Sequence, residues 1–212
     1  MSTTKSPVAA FVDRKAIVLD QLVPCAINTA IGWCLSLIGG IHGLVNVLDR
    51  AKKGEKIGPT DVLSVAFDDI VNRILFWIPP FAMAFAMGVV IGVVMFIPGL
   101  NMIVPPLLSL AYGLVMAMIF PYAVISVARE KTPWLKAWLG AIGRVKSDLK
   151  GGGIYMLVTS ILGGLGGIAF GVGALVTMPM AILAQLDGFE ATGGLGAPPI
   201  AAPAIGSGTE TK

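Results

Sequence analysis

Charge is scarce in this chain of 212 residues. Only 13% are Asp, Glu, Lys or Arg, against about 25% in an ordinary globular domain. With 56% apolar residues, a soluble fold would lack the polar shell it needs. Histidine is almost missing, His42 being the single one. Cysteine is limited to Cys25 and Cys34. A metal or tetrapyrrole site needs clustered His or Cys donors, and no second such ligand stands near His42 in the sequence. On a helix the two cysteines would lie about 13 Å apart along the axis, too far to bridge. They read as small apolar residues. Paired carboxylates are also lacking. Asp68 and Asp69 are adjacent, and neighbours on a helix point about 100° apart, which does not suit acid–base work. A continuous basic face with interleaved aromatics is absent, so nucleic acid is excluded as a partner. The expectation is a protein that is not an enzyme and has no cofactor.

What the chain has in quantity is uncharged apolar sequence. Runs at 22–48, 74–97, 102–127 and 151–186 carry no Asp, Glu, Lys or Arg, and each is long enough to approach a hydrocarbon core of about 30 Å. The predicted fold class is all-α: a polytopic helical membrane protein of about four to five apolar segments and two in-plane amphipathic helices. Residues 1–21 form a polar leader and an interfacial lead-in, 22–188 the membrane domain, and 189–212 a mobile Gly/Ala/Pro-rich tail. The first apolar run is too long for the h-region of a signal peptide.

The chain also repeats itself. A shift of 74 residues brings Pro59 onto Pro133, Gly92 onto Gly166, Phe96 onto Phe170, Gly99 onto Gly173 and Pro105 onto Pro179. Each copy, about 59–132 and 133–188, reads as an amphipathic helix, an apolar arm, a break and a second apolar arm with a proline. Pro98, Gly99 and Pro105 mark the break in the first copy, and Gly173 and Pro179 in the second. A fixed register of this kind points to duplication, and breaks at matching positions point to a midplane site in transporters.

Small residues recur every fourth position in three places: Gly32, Ser36 and Gly40; Ala84, Gly88 and Gly92; Gly163, Gly167 and Gly171. On a helix such spacing makes a face that another helix can approach closely. These stripes predict packing within the fold, self-association, or contact with other membrane subunits.

The basic residues cluster in two stretches. The first spans 49–73, where Thr60 or Asp61 is placed to cap a helix and Asp69 to pair with Arg73. The second spans 128–150, where Leu135, Trp138, Leu139, Ile142, Val145 and Leu149 recur at helical spacing. In it Lys136, Arg144, Lys146, Lys150, Trp134 and Trp138 are the candidates for lipid-headgroup contact. Both stretches belong on the cytoplasmic side by the positive-inside rule. The run at 22–48 then either crosses once, with the amino terminus outside, or forms a hairpin or surface-lying segment.

Three features carry a resemblance. Phe120-Pro121-Tyr122-Ala123 ends a span, a charged turn leads into an amphipathic helix at 137–147, and a Gly-rich arm is followed by Gly173-Ala174-Leu175-Val176-Thr177-Met178-Pro179. In this order the region 59–188 resembles a group of uncharacterised bacterial polytopic membrane proteins, including the membrane domain attached to some glycerophosphodiester phosphodiesterases. Where that group usually has a Tyr late in the last segment, Gln185-Leu186-Asp187 stands here. The resemblance implies a compact helical domain of the bacterial cytoplasmic membrane and carries no catalytic residues. The expected function is a non-catalytic scaffold, anchor or accessory subunit of a membrane assembly, in contact with membrane lipids. The alternative is a small transporter or channel for lipid or another apolar solute.

Overall fold

The computed structural model describes residues 6–168 and 173–193. All regular structure among them is helical. The elements are α1 (Pro7–Asp13), α2 (Lys15–Asp20), α3 (Leu22–Cys34), a short 3₁₀ turn (Ser36–Ile38), α4 (Gly40–Lys52), α5 (Asp61–Ala66), α6 (Ile70–Leu75), α7 (Ile78–Val94), α8 (Val104–Glu130), α9 (Trp134–Ser147), a π turn (Leu149–Gly153), α10 (Ile154–Ile168) and α11 (Ala174–Ala191). Prolines start several of them, where a missing N–H costs nothing: Pro7 in α1, Pro79 and Pro80 in α7, Pro105 and Pro106 in α8.

Two helical runs are long and apolar enough to cross a membrane: Ile70–Val94, with 25 residues, and Val104–Glu130, with 27. A third counts if Pro7–Asp20 and Leu22–Cys34, bent by 105°, act as one broken span. The other arms are shorter, 15 residues in α10 and 18 in α11, below the roughly 20 that a full crossing takes.

The apolar run at 22–48 is a hairpin. Helix α3 stops at Cys34, the chain turns through Ser36–Ile38, and Gly39 adopts φ +121°, a backbone open to glycine. Gly32 and Gly40 therefore do not share one helical face. They meet across the hairpin: a Cβ on Gly32 would sit 3.2 Å from the Gly40 carbonyl oxygen. Ser36 belongs to the turn, where its carbonyl accepts a hydrogen bond from Trp77 Nε1 at 3.1 Å.

Two asparagines on α3 and α6 start the amphipathic helices from outside. Thr60 occupies the N-cap position of α5 without a side-chain bond. The buried Asn28 does the capping, its Oδ1 accepting from Val62 N at 2.9 Å while its Nδ2 donates to Gly58 O at 2.7 Å. Asn72 accepts from Trp134 N at 2.6 Å at the start of α9 and donates to Thr132 O at 3.2 Å. The expected Asp69–Arg73 pair gives way to another arrangement. Asp69 sits at φ 53° between α5 and α6, and Arg73 turns inward, donating to the Val65 carbonyl.

The core is centred on Phe76, which is fully buried. Its ring meets His42 edge-on at 4.7 Å, Trp138 at 5.1 Å and Phe120 at 5.7 Å. Trp138 Nε1 donates to Phe76 O at 2.9 Å. Burying one such ring contributes about 1.5–3 kcal/mol. Helix α9 is amphipathic as expected, but its inward face includes Trp138 and Arg144, both buried. Neither can lie among lipid headgroups in this fold. Lys136, Lys146 and Lys150 are exposed, and Trp134 is half-buried.

Residues 189–191, assigned from sequence to the tail, belong to a helix. Helix α11 continues to Ala191, Phe189 is buried, and Glu190 is ion-paired. Residues 194–212 lie outside the described residues.

Candidate functional site

A cavity of about 500 Å³ opens between the middle of α8, the inner faces of α10 and α11, the α3–α4 hairpin and the root of α7. Its walls are apolar, with Ile41, Val45, Met116, Phe120, Met178 and Ile182 prominent. Trp33, half-exposed, stands at the mouth, its Nε1 directed at Met178 Sδ at 2.6 Å. On α8 the lining runs from Tyr112 to Ile125, within the candidate span Val104–Glu130. Its volume falls within the range of small-molecule sites, about 300–1,000 Å³.

The polar side chains in the lining are neutral: Ser160, Gln185 and Tyr112. No Asp, Glu, Lys, Arg or His lines it among the described residues. The first two form a chain that starts at a proline. Pro121 lies inside α8 and has no N–H, so the Ala117 carbonyl loses its helical donor. Ser160 of α10 supplies the replacement, its hydroxyl donating to Ala117 O at 3.1 Å. Gln185 of α11 then donates from Nε2 to Ser160 Oγ at 3.1 Å. The proline kink is thus the reason that a serine and a glutamine sit in an otherwise greasy wall. Gln185 is 9% exposed. Its bond to Ser160 uses one of its amide hydrogens, and the other hydrogen and the carbonyl oxygen have no partner among the described residues.

The walls are held together by charge at the polar end of the bundle. Arg14, between α1 and α2, grips Asp187 of α11 through two bonds, at 2.5 and 2.7 Å. Lys52 of α4 reaches Asp187 at 2.8 Å and Glu190 at 2.6 Å. Arg129 of α8 reaches Glu190 at 2.8 Å and Asp49 of α4 at 3.6 Å. Burial alone would raise the Glu190 carboxyl, but the hydrogen bonds and charges of Lys52 and Arg129 hold it below its ordinary value.

The residues singled out from sequence fall into three groups. Gly163, Gly173 and Pro179 are packed in the α10–α11 pair: a Cβ on Gly163 would meet Ala181 Cβ at 2.7 Å, one on Gly173 would meet Gly166 O at 2.6 Å, and Pro179 is buried inside α11. Ala84, Gly88, Gly92, Pro98 and Gly99 belong to the exposed α7 arm and its turn, and a Cβ at any of these three glycines meets no atom within 4 Å. Pro105 sits in the first turn of α8. Gly167 is part of α10, and Gly171 lies outside the described residues. Sequence reasoning did not pick out Ser160 and Gln185 as a pair. The available signal was a proline within a span and two isolated polar residues in the apolar run that follows.

Among the described residues no three His, Cys, Asp or Glu side chains come together to hold a metal ion. His42 is fully buried, and its two ring nitrogens have no hydrogen-bond partner among the described residues. Comparison with known proteins found no family model that matches the chain, no similar curated sequence and no similar solved structure.

Proposed function

We propose that this is a multi-pass protein of the bacterial cytoplasmic membrane that takes one apolar molecule from the bilayer into the pocket beside α8, and carries or presents it without chemical change. One observation supports the reading above others: a cavity of about 500 Å³ beside a candidate span, apolar apart from a few neutral polar groups. A cavity lined by no Asp, Glu, Lys, Arg or His among the described residues offers little support for a proton or ion path or for the convergent acids and bases of an active site. Both basic stretches face the cytoplasm in this reading, and the two hairpins descend from one duplicated unit. The test is mass spectrometry of the protein purified from its own membrane in mild detergent. A single apolar molecule retained by each chain, and lost when Gly164→Leu fills the cavity, is the expected result. A chain that arrives empty from every membrane source would refute the reading.

A second reading, an accessory subunit of a larger membrane assembly, rests on the α7 arm. Its small-residue face has open space at Gly88 and Gly92, where another subunit has room to approach. Stoichiometric polypeptides in the same purification would favour it, and a lone chain at every expression level would count against it.

A further inference from the structure

We propose that the molecule held in the pocket is a single-chain lipid with an uncharged hydroxyl head, a long-chain or isoprenoid alcohol by class, with its head at Gln185. This rests on the reading that the pocket is a binding site, and adds the substrate class.

Three observations converge. The first is size. A cavity of about 500 Å³ lies within the range of small-molecule sites, about 300–1,000 Å³, and takes a single hydrocarbon chain.

The second is charge. No cationic or anionic side chain lines the cavity among the described residues. A carboxylate or phosphate head drawn inside would be desolvated without a partner, which is prohibitive. A charged single-chain lipid is therefore rejected, and a neutral one accepted.

The third is hydrogen-bonding capacity. Ser160 already donates to Ala117 O and accepts from Gln185. Gln185, almost wholly buried, keeps one N–H and its carbonyl oxygen unused among the described residues. Gln185 lines the pocket, so a bound head group can reach its amide. A hydroxyl satisfies both at once, since it donates and accepts. An ester or ketone would accept from the N–H and leave the carbonyl oxygen unpaired, and an alkane would satisfy neither. The Ala117–Ser160–Gln185 chain fixes the amide in place before the ligand arrives.

The experiment uses the full chain in detergent, labelled with a diazirine-bearing hexadecanol and read by intact mass. Competition is by hexadecanol, hexadecanoate and dioleoylphosphatidylcholine. The variants are Gln185→Leu, which keeps the volume and removes the amide, and the two fillers Gly164→Leu and Gly113→Leu, whose added side chains start in open space at the cavity wall. One probe per chain is expected, displaced by hexadecanol and at least about tenfold less well by the other two competitors, the worth of one hydrogen bond or more. Gln185→Leu should weaken hexadecanol about tenfold, and the fillers should abolish labelling. If the fillers abolish labelling but hexadecanoate competes equally, or Gln185→Leu changes nothing, the hydroxyl head is wrong and the pocket reading stands. If full labelling survives both fillers, both fail. The competition on the unmodified chain decides the head group even where Gln185→Leu does not fold.

Discussion

The α7–α8 and α10–α11 hairpins each join two apolar arms, the second of which holds a buried proline, Pro121 in α8 and Pro179 in α11, although the 74-residue shift matches Pro179 with Pro105. The second is shut. A Cβ on Gly166 would lie 2.5 Å from the carbonyl carbon of Gly173, and Gly163 abuts Ala181. The first is open. At Gly92 and Gly99, the positions in register with Gly166 and Gly173, nothing lies within 4 Å, and only 11% of the apolar window in Ile70–Val94 is buried. The difference teaches what a small-residue stripe does. In lipid there is no hydrophobic force between arms, so glycine permits close approach and does not cause it. Cross-hairpin hydrogen bonds accompany closure. Thr177 Oγ1 donates to Gly163 O at 2.8 Å, Tyr155 OH to Ala184 O at 3.0 Å, and Gln185 to Ser160. Between α7 and α8 the corresponding bond is Tyr112 OH to Pro80 O at 3.3 Å, at the root.

That root is where the comparison can be broken hardest. If α7 is attached through its first turn, the ring of Phe76 matters more than anything further along the arm. Phe76→Ala should cost about 3–5 kcal/mol, the usual range for emptying a filled aromatic site. Chemical unfolding in detergent micelles, followed by tryptophan emission, reads it. A loss under about 1 kcal/mol would mean that the contacts with His42, Phe120 and Trp138 do not carry the attachment.

The matched glycines give the sharper test. Gly166→Leu forces a side chain into the backbone of Gly173 and should cost at least the 1–3 kcal/mol of an overpacked site. Gly92→Leu, its partner in register, enters open space and should stay within about 0.5 kcal/mol. Both are measured as the shift in thermal unfolding of the purified chain. Equal losses would show that α7 closes on α8 in the membrane as α11 closes on α10. A neutral Gly92→Leu that nevertheless reduces the native particle size would assign the open face to another subunit.

How much of this was legible in the sequence depended on range. The all-helical class, the break at Pro98–Gly99 and the amphipathic character of α9 follow from composition and from periodicity within one helix, and they read out directly. The split of the 22–48 run did not. Gly32, Ser36 and Gly40 are as compatible with one face of a long helix as with two arms meeting at a turn, and only the positive φ at Gly39 separates the cases. The capping asparagines are hidden by distance, Asn28 lying 34 residues before Val62 and Asn72 62 before Trp134. Trp138 and Arg144 look interfacial because long amphipathic side chains suit either a headgroup or a half-polar core. The candidate site is the least legible part. It needs the carbonyl freed by Pro121 to meet Ser160, which is 43 residues from Ala117, and no local pattern records that encounter.

The smallest effect concerns the polar end, where Arg129 of α8 is tied to Glu190 of α11. This tie links the fixed arm of the open hairpin to the closed one. Held below its ordinary value of 4.5, the Glu190 carboxylate stabilises the fold above that value, and the contribution fades as pH falls through the lower, folded value. With a half-exposed carboxylate the effect should be less than about 1 kcal/mol. The unfolding temperature of the native chain should therefore drop more steeply below pH 4.5 than that of Glu190→Gln, and the two should run parallel above it. The double comparison with Arg129→Gln isolates the pair. If Glu190→Gln and the native chain fall together at low pH, the bond from Arg129 is a surface contact of no consequence. The two hairpins would then be joined by the Ser160–Ala117 bond and the apolar walls of the pocket.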